Sequence, residues 1–387
     1  MTRHRALSPA LAATLVSISF SPWPAHAETA ANALDRAIAQ GVVNWRIDPQ
    51  WPATKDGELG LLQRLHPGLI YKIGLRTGWG QVDEKTFKSA ADIAGVVKAR
   101  LPDIMLGIGM GETVKPDLDV TLDCEGATRR FPAAPMTNPQ RPLLGGTAWI
   151  DVSTDAGRDF YECQGRKLIH AGYSLINPDG GGLVIKNAAS PQKAVRNFNQ
   201  VFASLKAYGQ SIGRAVFVSG DVDMLQAGVE IDAAYLPSRF YHITIPQYKN
   251  YQNKVPRPGI GVGYSYVLSP RIISDFRARS PSRTRLFFYI DNWDPAQDDL
   301  RRLMELDGAN RRFLIVESAK TAHAGGAYFI PSLNHCDGCI APSSIGDTCE
   351  LMPGRTDKTE YDAIRCGDEA AIKEALDRQG AAGRADH

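Results

Sequence analysis

Past residue 27 this chain lacks any apolar run long enough to cross a bilayer, because a spanning helix needs about 20 such residues. Net charge is also missing. The sequence holds 44 basic and 42 acidic residues, and with Arg3 and Arg5 set aside in the leader described below the two signs balance. A balanced surface argues against a nucleic-acid partner, whose phosphates need a basic face. There is no G-x-S-x-G elbow, no H-E-x-x-H pair, no Walker loop and no dinucleotide fingerprint. The glycine-rich runs GIGMGE and GIGVGY lack the G-x-G-x-x-G spacing that opens a helix on a pyrophosphate. Internal repeats and low-complexity tracts are absent. No cofactor and no metal are therefore expected.

The first 27 residues read as a secretory leader. Arg3, His4 and Arg5 give a basic start, ALAATLVSISF is a short apolar stretch, and Ala25-His26-Ala27 is an A-x-A cleavage site. The mature chain is expected to be secreted or periplasmic, with no membrane insertion after cleavage. Its six cysteines, Cys124, Cys163, Cys336, Cys339, Cys349 and Cys366, all follow the leader. An even count after an export signal points to disulfides. Cys124–Cys163 is the preferred pair, clipping a long loop to the following helix. The last four pair among themselves in an order that spacing does not decide; the alternative for Cys336-x-x-Cys339 with Cys349 and Cys366 is a zinc site.

What the chain does have is a series of short apolar runs that stop at carboxylates. NWRID ends in Asp48, SLINPD in Asp179, AVFVSGD in Asp221, and LFFYIDNWD contains Asp291 and Asp294. Each has the length of a buried strand, and helical segments separate them, which implies a parallel sheet covered by helices. The closed form is a (β/α)8 barrel, whose strands all open at their C-terminal ends onto one functional face. Eight strands are expected: Gly41–Asp48, Leu69–Thr77, Ile104–Glu112, Tyr173–Asp179, Ala215–Asp221, Arg239–Tyr248, Thr284–Asn292 and Ala327–Leu333. Pro258–Val267 reads as loop because its three glycines would weaken a strand. The longest irregular stretch, Thr113 to Thr147, sits between the third strand and third helix and has the length of a lid or binding wall. The expected domains are a leader (1–27), a barrel (28–334) and a Cys-rich tail packed on it (335–387).

Acidic side chains from several strand ends would converge on one cleft, as acid/base sugar hydrolysis requires. That chemistry needs two carboxyls, about 5–5.5 Å apart for retention or roughly 6.5–9.5 Å for inversion. Asp179 and Asp291 are the first candidates, with Asp221 and Glu112 beside them. Glu112 would serve as the acid. Each Asp also has a plainer reading as a helix cap or Asx-turn, and Glu317 and Trp45 read as structural. Trp79, Trp293 and Tyr248 are candidates to stack on sugar rings. Asn177, Asp48 and Arg76 complete the expected substrate contacts. Arg46 and Arg76 would hold an acidic sugar or pair with Asp48, and His242 reads equally as core or catalytic.

The segment WIDVSTDAGRDFYECQGRKLIHAGYSLINPDG resembles (β/α)8 glycoside hydrolases, in which a Trp-containing segment with Asp leads through a helix into the catalytic fourth strand. DNWDPAQDDLRRLMELDGANRRFL followed by GGAYFIPS is similar to the last two units of such barrels. About half of the chain takes part. It departs from the commonest clan, with Asn177-Pro178-Asp179 and Asp291 where that clan has Asn-Glu and Glu. The resemblance implies a glycosidase of poly- or oligosaccharides, with Asp179 as nucleophile or base, and the leader implies that it is exported. Two other classes remain open: a barrel that binds carbohydrate or assists polysaccharide export without cleaving it, and a metal-dependent phosphodiesterase or deacetylase.

Overall fold

A computed structural model describes residues 30–45, 52–73, 82–142, 147–178, 180–236, 270–289, 308–336, 360–364 and 366–383. In chain order, α1 (Ala30–Ala39) precedes β1 (Val42–Trp45), α2 (Pro52–Leu65), β2 (Leu69–Ile73), α3 (Glu84–Arg100) and β3 (Met105–Met110). Then come β4 (Thr113–Val114), β5 (Val120–Cys124), β6 (Ala127–Phe131), α4 (Ala133–Met136), β7 (Thr137–Pro142) and β8 (Ala148–Ile150). The chain continues through α5 (Asp155–His170), β9 (Leu175–Pro178), α6 (Gly181–Asn187), α7 (Pro191–Ser211), β10 (Phe217–Asp221), α8 (Val222–Ala227) and β11 (Ala233–Leu236). It ends with α9 (Pro270–Arg279), β12 (Arg285–Tyr289), α10 (Gly308–Ala324), β13 (Tyr328–Ile330), β14 (Ser332–Cys336), β15 (Glu360–Asp362) and α11 (Glu369–Gly383).

The principal sheet runs β13-β12-β11-β10-β9-β3-β2-β1-β14, parallel throughout, with β15 antiparallel at its end. Its two ends are one piece of chain. β13 pairs with β12 and β14 pairs with β1, so Tyr328–Cys336 closes the sheet on itself. The switch falls at Pro331, which has no N–H to give a ladder, while its carbonyl accepts from Asn44 N at 2.9 Å. The result is the expected (β/α)8 barrel.

Two expectations need correction. The sixth strand is Ala233–Leu236, set between β10 and β12 with Ala234 opposite Leu286. The two-turn helix α8 makes an unusually brief connection into it, and reading for a full crossover helix placed the strand too far along. Arg239–Tyr248 and Pro258–Val267 lie outside the described residues. Nor is the described part of Thr113–Thr147 irregular. It forms the β5–β6 hairpin, and its β4 and β7 flank β8 in a three-stranded sheet, β4-β8-β7. The hairpin turns on Glu125-Gly126, with φ of 58° and 81°, the left-handed pair that suits a tight hairpin.

Buried side chains fall into two layers. Val42, Leu69, Leu175, Phe217, Phe287 and Ile330 fill the barrel, and Leu34, Ala37 and Ile38 of α1 join them. Helix α1 thus plugs the N-terminal end, where Asp35 accepts from Arg285 Nε at 2.7 Å. The larger layer lies between sheet and helices, with Ile70, Ile108, Ile176, Val218 and Phe288 facing outward. Helix α11 packs against α10, α1 and α2, taking the place of the eighth barrel helix. It is anchored by a buried pair, Arg311 Nε donating to Asp368, whose side chains are 5% and 0% exposed.

The Cys124–Cys163 disulfide is present, with Cα atoms 5.5 Å apart, and ties the hairpin to α5. Cys366 is also disulfide-bonded. Among the described residues no helix is long and apolar enough to cross a membrane.

Candidate active site

Strand periodicity decides which side chains face the barrel axis. In β9, Leu175 faces in and Ile176 out, so Asn177 faces in. In β10 the same alternation turns Phe217 and Ser219 inward. Leu175 pairs with Phe217 and Ile176 with Val218; continuing that register sets Ser219 beside Asn177. On the other side Asn177 pairs with Gly109, which has no side chain. Tyr71, Tyr235 and Tyr289 complete the inner surface. The ring of Tyr235 lies 6.2 Å from Tyr71 and 5.3 Å from Tyr289, both edge-on.

Asn177 and Ser219 are both 0% exposed. Neither amide atom of Asn177, nor the Ser219 hydroxyl, has a hydrogen-bond partner. Each such group costs about 1–3 kcal/mol when left buried and unmet. Folded chains satisfy nearly all of their buried polar groups, and these lie on the C-terminal halves of two adjacent strands.

Glu112 follows β3 at the same end. Its carbonyl accepts from Ile150 N at 2.9 Å, which brings β8 of the insertion, and with it Trp149, alongside. Gly180, at φ 63°, carries the turn after β9 directly onto the Glu112 carboxyl. A Cβ at Gly180 would stand 2.7 Å from Glu112 Oε2 and 3.6 Å from Trp149 Cζ3. The half-buried Glu112 carboxyl is thus wedged between strand four's exit turn and the insertion wall. Gln164 of α5, beside the disulfide, fixes the strand-three exit by accepting from Gly111 N at 3.0 Å.

Asp221 has a mechanical task. Its Oδ1 accepts from Met224 N at 2.8 Å and caps α8, and its Oδ2 accepts from Gly182 N at 2.9 Å. It therefore holds the glycine turn after β9 from below. Asp151 holds the far end of α6, accepting from Ala189 N at 3.0 Å and from Ser153. Trp45 is core, donating to Glu58 Oε2 at 3.1 Å, and Glu317 makes an exposed ion pair with Lys320.

Asp48, Arg76, Trp79, Asp179, Tyr248, Asp291 and Trp293 lie outside the described residues, as do Arg46, His242 and Asp294. Of the expected site residues the structure thus brings Glu112, Asn177 and Asp221 to one end of the barrel. Trp149 is one of the aromatic residues the sequence sets beside the strand-end carboxylates, whereas Ser219, the three tyrosines and Gln164 had not been singled out as site residues. The period-2 alternation of LIYKI, AAYL and LFFYI does place the tyrosines inward. Among the described residues no group of His, Cys, Asp and Glu could hold a metal ion.

No family model matches the sequence, and no curated protein does either. Solved structures do match in shape. Amy13B of Eubacterium rectale aligns with TM-score 0.51 at 10% identity, over 88% of this chain and 78% of its own. The chain shares its (β/α)8 barrel fold with that protein. The glycoside hydrolase domain of PelA from Pseudomonas aeruginosa aligns with TM-score 0.41 at 13% identity, over 75% of this chain and 93% of that one. Trehalose-6-phosphate hydrolase of Bacillus licheniformis gives 0.47 and 10%, over 76% and 64%. At these identities the likeness is one of fold alone.

Proposed function

We propose that this chain is an exported glycoside hydrolase that cleaves a poly- or oligosaccharide at the C-terminal face of its barrel. One observation carries the reading: a carboxyl, Glu112, is wedged against the exit of strand four beside Trp149, above a floor of unsatisfied polar groups and tyrosines. Aromatic faces and uncommitted hydrogen-bonding groups suit a sugar ring. In this reading Glu112 protonates the leaving glycosidic oxygen, and Asp179, next to Gly180 in sequence, is nucleophile or base. Asp291 from the seventh unit supports the second carboxylate, and Asp221 positions the glycine turn. The disulfides support an oxidising compartment, in keeping with the leader.

A binding barrel without hydrolysis is favoured by one feature: both Asp221 oxygens are taken by backbone N–H groups, which leaves one fewer carboxylate for chemistry. The test is reducing-end release from starch, xylan, β-glucan, pectin and chitin fragments. The wild-type chain is expected to release ends from at least one, and Glu112→Gln and Asp179→Asn to abolish release without losing the fold. Binding with no release from any of them would select the binding barrel.

A further inference from the structure

We propose that the N-terminal face of the barrel, opposite the candidate active site, docks on an anionic lipid surface. It concerns the far end of the barrel and does not depend on the glycosidase reading. The chain as a whole balances its charges, but this face does not. Strands β12, β11, β10, β9 and β3 are consecutive in the sheet, and their N-terminal ends span an arc of roughly 20 Å at about 4.8 Å per strand. The segments that meet there, 98–104, 206–216, 228–233 and 275–285, carry eight basic residues against four acidic ones. Three of the basic residues are in ion pairs: Lys206 with Asp232, Arg283 with Glu230 and Arg285 with Asp35 of α1.

Lys98, Arg214, Arg277 and Arg279 differ. Among the described residues their hydrogen bonds go to backbone carbonyls, those of Pro102 and Ile104, Ile169, Pro281 and Asp275 in turn. Asp103 and Asp275, the remaining carboxylates of these segments, offset only part of this charge. Helix C-termini attract cations, which explains each one singly but not their crowding. Lys98 stands beside Arg214 and Arg277 beside Arg285; burial first, and then that neighbour, pushes the Lys98 ammonium and the Arg277 guanidinium below their usual values. Nor does it explain Ile212, which is 45% exposed two residues before Arg214. Ser211 and Gly213 are exposed on either side of it, and a Cβ at Gly213 would meet nothing within 4 Å. An apolar tip among cations suits the headgroup layer of an anionic membrane, where phosphates meet the cations and the isoleucine reaches the edge of the acyl chains. A nucleic acid or an acidic glycan would engage the cations and leave Ile212 in water.

The test is co-sedimentation with phosphatidylcholine vesicles, with and without phosphatidylglycerol. The chain is used from Glu28 onward, so that the apolar leader takes no part. Wild type is expected to sediment with the phosphatidylglycerol vesicles alone, and to be released at about 1 M salt, where screening shortens to about 3 Å. Arg214→Gln and Arg279→Gln should each weaken that binding about fivefold, and Ile212→Ser several-fold, with Tm and soluble-glycan turnover unchanged. Equal sedimentation with both vesicle types, or binding indifferent to all three variants, overturns the proposal. So does a DNA duplex in solution binding as tightly as the anionic vesicles with Ile212→Ser indifferent, since the face would then serve polyanions at large. If Arg214→Gln fails to fold, having lost its bond to Ile169, the exposed Arg279→Gln and Ile212→Ser decide alone.

Discussion

Replacing Gly180 by alanine separates backbone strain from damage to the site, because another glycine provides a matched control. Gly180 sits at φ 63° and Gly126 at φ 81°. Putting an L side chain into this left-handed region costs about 1–2 kcal/mol. At Gly126, in the hairpin turn, an added Cβ meets nothing within 4 Å, so Gly126→Ala should pay that strain and no more. At Gly180 the Cβ would stand 2.7 Å from Glu112 Oε2, inside van der Waals contact, and the carboxyl must shift. A misplacement approaching 1 Å at a reacting group lowers turnover by about 10²-fold. Chemical denaturation should therefore show both variants destabilised by about 1–2 kcal/mol, and kcat/KM should fall about a hundredfold in Gly180→Ala alone. Equal activity in the two variants would show that Glu112 is not at the reacting centre.

Two further outcomes concern stability. Breaking Cys124–Cys163 with serines frees a loop of sequence separation 39, for which chain entropy gives roughly 4 kcal/mol; urea unfolding should show a loss of up to that size, and a loss under about 1 kcal/mol would mean the hairpin is held by its other contacts. Arg311→Met leaves the fully buried Asp368 without its cation and should lower stability by about 3–5 kcal/mol, while adding Asp368→Leu should restore most of it; the double variant proving worse than the single would refute that account.

The barrel could be read from the sequence because its strands are short apolar runs bounded by turns, and seven of the eight expected segments contain or overlap the observed strands. The sixth escaped because α8 spans only Val222–Ala227 and AAYL is a strand of only four residues. The insertion looked irregular because its strands are brief, and only β5 shows a clear alternation, with Val120 and Leu122 buried and Thr121 and Asp123 facing out. Asp221 shows why carboxylates at strand ends are ambiguous: a cap and a catalytic group have the same sequence signature, and only its bonds to Met224 and Gly182 tell them apart. Ser219 carried no signal of its own, since a serine becomes notable only when its neighbours fail to satisfy it. The Glu112 and Gly180 contact depends on packing between two strand exits and an insertion, which no local pattern encodes.

The most direct test of the central claim is a crystal structure of the Glu112→Gln chain soaked with the oligosaccharide that the wild-type chain cleaves. The account predicts a sugar ring at the C-terminal end of the barrel, beside residue 112 and Trp149. A sugar bound elsewhere on the chain, with that end of the barrel unchanged, would contradict it.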